Sequence, residues 1–177
     1  MADIEMVPAD RASDAQLVAT IHDLVNTAYS TTERGLWVRD IPRVTPEDVA
    51  EAISNGRTAI ALQDGRLAGT VRTRLLDAST GWLGVLAVDL DAAGSGLGRQ
   101  LVTFAEQRSA ALGASTMRLE MLMPALNHPH TGRLADWYGR LGYREVERRS
   151  LADFDPGAMS YWVAPCGVAV MHKPLSS

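Results

Sequence analysis

The sequence predicts an α/β fold in which a mixed sheet of about six to seven strands is packed between layers of helices. Three observations carry this. The strand-like runs TAIALQ and RLAGTVRTRLL are separated by Asp64-Gly65, and a third run, GWLGVLAVDL, follows them. Apolar residues recur at three- and four-residue spacing in the segments on either side of those runs. A glycine-rich turn then joins an apolar run to an amphipathic one, after which strand and helix patterns alternate.

In chain order, residues 3–7 read as a short edge strand. Ser13 caps a helix whose apolar stripe is Leu17, Val18, Ile21, Leu24, Val25 and Ala28. Thr45-Pro46-Glu47-Asp48 opens a second helix, with threonine as cap and proline at the first helical position. Val49, Ala52 and Ile53 are its buried stripe, and Gly56 ends it. Asp64-Gly65 predicts a type I′ hairpin, because both central residues of that turn need positive φ. Residues 81–90 are more apolar and therefore more central. A helix through Leu97, Leu101, Phe104, Ala105 and Leu112 stops at Gly113. Residues 117–123 form a strand, TGRLADWYGRLGY a helix ended near Gly142, and the residues from Tyr143 onward and 167–172 two closing strands.

Composition narrows the classes. The chain, 1–177, reads as one domain, since 177 residues at 46% hydrophobic content can fill one core. A formal charge of -4, from 17 basic and 21 acidic residues, argues against a partner held by phosphate attraction, so no nucleic acid is expected. No run approaches the roughly 20 apolar residues that span a bilayer, and no membrane partner is expected. The opening MADIEMVPAD is unlike a secretory signal. The lone Cys166 suits a reducing compartment and reads as a small buried hydrophobe, so the expected location is cytoplasmic. A homodimer is allowed without being specified.

The stretch DAAGSGLGRQL places Gly94, Gly96 and Gly98 between a strand and a helix. Bare backbone, unpaired first-turn N–H groups and the helix dipole together make a place for an anion. A tight turn alone rarely needs three glycines. A dinucleotide fingerprint starting at Gly94 would put its third glycine on Arg99, and no Gly-Lys-Ser/Thr marks a P-loop.

LAVDLDAAGSGLGRQL, followed one strand later by ADWYGRLGYRE, resembles the GNAT superfamily of acyl-CoA-dependent N-acetyltransferases. The first segment looks like that family's pyrophosphate loop and the second like its final helix. The resemblance runs from about Leu17 to the end of the chain. It implies the GNAT fold, with a V-shaped splay between the strand of Val88 and the strand of Glu120, and acetyl-CoA as acyl donor. The diphosphate would then sit over Ala93, Gly94, Ser95, Gly96, Leu97, Gly98 and Arg99. Leu86, Ala87 and Val88 would run along the pantetheine arm, and Tyr138 would protonate or orient the departing sulfur. Two positions depart from the family pattern: its loop-opening Arg or Gln falls on Ala93, and its asparagine before the tyrosine falls on Thr131.

Acyl transfer to an amine needs that amine neutral, and a free alkylamine has a pKa of roughly 10. Glu120, the one carboxylate in the largely apolar MRLEMLM, is the candidate base; such a carboxylate is costly unless paired or useful, and the alternative is a residue on the wet side of the strand or a partner for Arg118's neighbours. His128 and His130 are second candidates. No carboxylate or cysteine completes a ligand set with them, so no metal is expected. His22 and His172 read as structural. Asn26 and Tyr29 fall off the first helix's buried stripe and are expected to line the acceptor pocket, with Trp37 and His128. Arg34 and Arg39 would favour an acceptor that also carries a carboxylate. Two long connections, 30–44 and 124–130, would roof one mouth, which suits a small-molecule amine. A peptide N-acetyltransferase and a silent acyl-CoA-binding domain are the alternatives.

Overall fold

Local chemistry sets most elements of the computed structural model, which describes residues 2–36, 41–125, 128–154 and 165–175. Strand β1 is Asp3–Met6, followed by a 3-10 turn, Ala9–Ser13. Helix α1, Ala15–Thr32, is capped by Asp14, whose carboxylate accepts from the Leu17 amide, and not by the expected Ser13. Ser13 belongs to the turn, where its hydroxyl donates to the Asp10 carbonyl. Thr45 caps α2, Pro46–Ser54, in a reciprocal capping box with Asp48. Strands β2, Thr58–Gln63, and β3, Arg66–Leu75, meet at Asp64 (φ 50°) and Gly65 (φ 75°), the turn that Asp-Gly predicts.

Strand β4 is Thr80–Val88 and helix α3 is Leu97–Ala111. Leu90 and Leu112 fall outside these elements and are 48% and 53% exposed, so neither extends the buried stripe as expected. Strand β5 (Thr116–Pro124), helix α4 (Pro129–Arg140), strand β6 (Arg144–Ser150), helix α5 (Leu151–Phe154) and strand β7 (Cys166–Pro174) complete the described chain. None of the described helices is long and apolar enough to cross a membrane.

The strands form one seven-stranded sheet in the order β1-β2-β3-β4-β5-β7-β6. Every pairing is antiparallel except β4 with β5. Helices cover both faces. On one, Leu97, Leu101, Val102 and Ala105 of α3 pack with Leu83, Met117, Leu119, Met121, Tyr138 and Tyr143. On the other, Val18, Ile21 and Val25 of α1 and Val49 and Ile53 of α2 pack with Ile60 and Ala87. Each such large side chain contributes about 1.5–3 kcal/mol on burial.

The parallel pair is short. β4 and β5 join only at Thr80↔Thr116, Gly81↔Met117 and Trp82↔Arg118, while β5 stays paired with β7 through Pro124↔Cys166. From Leu83 and Leu119 onward the two strands part into the expected V. A bulge accompanies the parting: Arg72 faces Gly84 and Thr70 faces Ala87, so Val71 alone stands against Val85 and Leu86. Val85 takes φ 49°, a strained setting for a β-branched residue.

Candidate active site

Two of the three glycines at the start of α3 answer a need of the backbone. Gly94 (φ 80°) and Gly96 (φ 87°) are left-handed, with no protein atom within 4 Å of the place a Cβ would take. Their requirement is conformational. At Gly98 a Cβ would lie 3.7 Å from Val88 Cγ2 and 3.8 Å from the Trp137 ring, ordinary contact distances, so packing alone does not demand glycine there. Gly96 caps α3 without a side-chain acceptor, and the Leu97 amide reaches only the Ser95 hydroxyl, at 3.4 Å. Ala93 and Arg99 flank this end, both exposed. An unfilled helix N-terminus with open space beside it suits a diphosphate.

Leu86, Ala87 and Val88 lie on the half of β4 that has no β5 partner. Leu86 and Val88 pack toward the α3 face and Ala87 toward the α1 face. Beside them stands Tyr138, 6% exposed, edge-on to Trp137 (centroids 4.8 Å apart) and to Tyr143 (5.6 Å). Tyr143 is anchored in turn: its hydroxyl donates to Glu106 Oε1 at 2.9 Å, and Lys173 Nζ donates to Glu106 Oε2 at 2.7 Å. Burial pushes the Tyr138 phenol well above its ordinary value, and Tyr29 on α1 adds to the rise. Tyr138 sits on the α3 face and Tyr29 on the α1 face.

On the α1 face, Glu120 bridges the narrow end of the V. Its Oε2 accepts from Trp82 Nε1 at 2.5 Å, and its Oε1 accepts from Arg118 Nε at 2.6 Å, with the carboxylate side chain 14% exposed. Glu120 is therefore paired, with Arg118 itself and with Trp82. The Trp82 ring also lies over Gly84, where a Cβ would come within 2.3 Å of it, so only glycine fits. Arg74 stacks over the same indole at 5.2 Å.

The expected acceptor residues divide. Tyr29 packs against the inner face with the Arg43 guanidinium 4.7 Å over its ring; burial raises its phenol and Arg43 opposes the rise. Asn26 has its amide engaged by backbone: Nδ2 donates to the Val44 carbonyl at 3.0 Å, and Oδ1 accepts from the Arg43 and Val44 amides at 2.6 and 3.2 Å. It shapes the wall rather than offering a free polar group. His128 Nε2 lies 3.2 Å from the Arg34 carbonyl and Nδ1 lies 3.3 Å from Thr131 Oγ1, so the two long connections do meet. Burial lowers the His130 pKa, helped by Arg133 and His128. The Arg34 side chain is exposed, and Trp37 and Arg39 lie outside the described residues. Arg72, which sequence reasoning passed over, is half-buried opposite Gly84 and donates to the Asp48 carbonyl at 3.1 Å. Its signal was the alternation in RLAGTVRTRLL, which puts Arg72 and Arg74 on one face. Among the described residues no cluster of His, Cys, Asp or Glu could hold a metal ion.

A sequence profile of the Acetyltransferase (GNAT) family matches residues 19–143. No curated protein matches the sequence. Among solved structures, an aminoglycoside 6'-N-acetyltransferase complexed with coenzyme A is similar over 99% of this chain and 98% of its own, at 19% identity and TM-score 0.70. The ribosomal-protein-S18-alanine N-acetyltransferase from Escherichia coli is similar over 100% and 96%, at 19% identity and TM-score 0.67. N-acetylglutamate synthase from Neisseria gonorrhoeae, complexed with coenzyme A and N-acetyl-glutamate, is similar over 100% of this chain and 36% of its own, at 16% identity and TM-score 0.66.

Proposed function

The chain belongs to the GNAT acetyltransferase family and is an N-acetyltransferase, and on that premise we propose that it moves the acetyl group of acetyl-CoA directly to the primary amine of a small molecule. One observation carries the reading: the parting of β4 from β5, with the glycine loop and Tyr138 on one face and Glu120 and Tyr29 on the other. Two reactants can then meet from opposite sides of one sheet.

The thioester supplies an activated acetyl group. The backbone N–H groups of Gly94 and of Gly96 to Arg99 hold its diphosphate, that of Ser95 being taken by the Ala92 carbonyl, and the free edge at Leu86, Ala87 and Val88 holds the arm. Ala93 brings no side-chain contact, so backbone carries this work. Glu120 takes the proton the amine must lose, using the lone pairs that Trp82 and Arg118 leave free. Tyr138 keeps its proton at the hydroxyl for the departing sulfur, since burial holds it protonated at neutral pH.

The small acceptor follows from the mouth. The link from His128 to the Arg34 carbonyl closes the space between two connections, and a closed mouth suits a compact amine better than an extended peptide. The similar structures are named for an aminoglycoside and for a ribosomal protein, so the shared fold does not by itself set the acceptor. We place the enzyme in the cytoplasm, as a single domain that needs no metal, nucleic acid or membrane. The test is a library of primary amines beside a peptide array, with free thiol as readout. Faster turnover on small amines is the expected result. Peptides acetylated at least as fast would assign the enzyme to proteins, and binding of acetyl-CoA with no turnover on any amine would make it a silent binding domain.

A further inference from the structure

The alternation of β3 carries Arg72 and Arg74 onto the α1 face, in register with Gly84 and Trp82 of β4. Arg118 and Glu120 of β5 continue that face across the narrow end of the V. Arg43 comes over it from the connection that Asn26 pins down. Four guanidinium groups therefore gather on the acceptor side of a protein whose net charge is -4.

Their partners differ. Arg118 is neutralised by Glu120, and Arg74 rests on the Trp82 ring. Arg43 rests on the Tyr29 ring, and Arg72 donates to a backbone carbonyl of α2; neither has a carboxylate in salt-bridge contact among the described residues. Asp48 and Glu51 act on Arg72 without forming a salt bridge to it. Asp48 spends a carboxylate oxygen on the Thr45 amide, and Glu51 reaches Arg72 only through space. Glu33, on the α1 side, acts on Tyr29. A guanidinium has five N–H donors in a planar fork, and Arg72 uses one nitrogen. Burial works against its charge. A half-buried cation is normally met by an anion, because desolvation is otherwise unrepaid.

We infer that Arg72 and Arg43, beside the Tyr29 ring, form a subsite for a carboxylate on the acceptor, so that the preferred acceptor is a small molecule bearing both a primary amine and a carboxylate, such as an amino acid. The inference rests on the transferase reading of the same cleft. Arg72 is directly across from Gly84, whose strand carries Trp82 and, through it, the Glu120 carboxylate. An amine brought to Glu120 and a carboxylate brought to Arg72 are thus recognised from strands on either side of β4, about 10 Å apart, a gap that the long arginine side chain narrows. Gly84 leaves room for the Trp82 indole, which lies over it as the floor between the two groups.

The probe is a panel of the standard amino acids, each beside its α-carboxamide, with acetyl-CoA as donor and free thiol as readout. The expected kcat/KM for the carboxylate member exceeds that of the carboxamide by about 30-fold or more, the range of a charge-assisted pair. Arg72→Gln brings that ratio close to one. Arg72→Lys restores only part of it, because a point charge cannot reproduce the fork. Arg43→Gln, at an exposed position where folding is not at risk, also lowers the ratio. A wild-type ratio near one, or variants that slow both members equally, would overturn the subsite. Calorimetry of the same panel on the coenzyme A-loaded protein separates the two readings. Carboxylates that bind more tightly than carboxamides without thiol release would leave the subsite standing and remove the transferase, and a panel that neither binds nor turns over would overturn the subsite.

Discussion

Tyr138 and Glu120 have opposite surroundings, and their roles should separate in pH profiles. Tyr138 is packed among rings with no hydrogen bond to its hydroxyl among the described residues, and burial raises its phenol. A raised acid stays neutral, so no fall in rate up to about pH 10 should trace to its ionisation. Tyr138→Phe keeps the packing and removes the proton; kcat should drop roughly 10²-fold with little change in KM for acetyl-CoA. Glu120→Gln should instead lose the acidic limb of the kcat/KM profile. A Tyr138→Phe enzyme working at the original rate would leave Tyr138 as a packing residue, and an unaltered limb in Glu120→Gln would pass the base role to water or a histidine. At this scale the sequence showed Tyr138 and Glu120 but not Arg72, because only the pairing of β3 with β4 tells which face an arginine joins.

The turn into α3 predicts a different kind of effect. Gly96 holds φ 87° with open space around it, so an added side chain meets strain and intrudes on the ligand's place, not on packed protein. Gly96→Val should strain that turn by about 1 kcal/mol or more and weaken acetyl-CoA binding by about 10-fold or more. Calorimetric affinity equal to wild type, with the far-UV spectrum intact, would detach this loop from the diphosphate. Elements set by short-range chemistry were legible in advance: Asp64-Gly65, the Thr45–Asp48 box and the glycines before α3 each name their own geometry. The first helix starts one residue later than the sequence predicts, because Ser13 and Asp14 are equally good caps and a preceding turn chooses between them. The bulge at Val85 left no trace in composition. Valine disfavours φ 49°, and the register of β3 imposes it.

For the molecule as a whole, the splay leaves a stretch of sheet edge inside the structure, and a bound donor would pair with it and join both halves. Coenzyme A at about 100 times its Kd should stabilise the fold by about 2.7 kcal/mol, which for this size raises Tm by roughly 5–10 °C. Scanning fluorimetry that shows no shift at millimolar coenzyme A would contradict a donor seated in the gap. The layering was readable from periodicity, but the strand order was not, since nothing local announces that β7 enters between β5 and β6. That insertion has a consequence for a chain made one residue at a time. Strands β1 to β4 neighbour one another in the order in which the ribosome delivers them, and they can pair as they emerge. β5 and β6 cannot pair with each other at all. Each must wait, edge exposed, until the residues of β7 have been synthesised to slide between them, so this half of the sheet is completed late and is where a newborn chain depends most on protection.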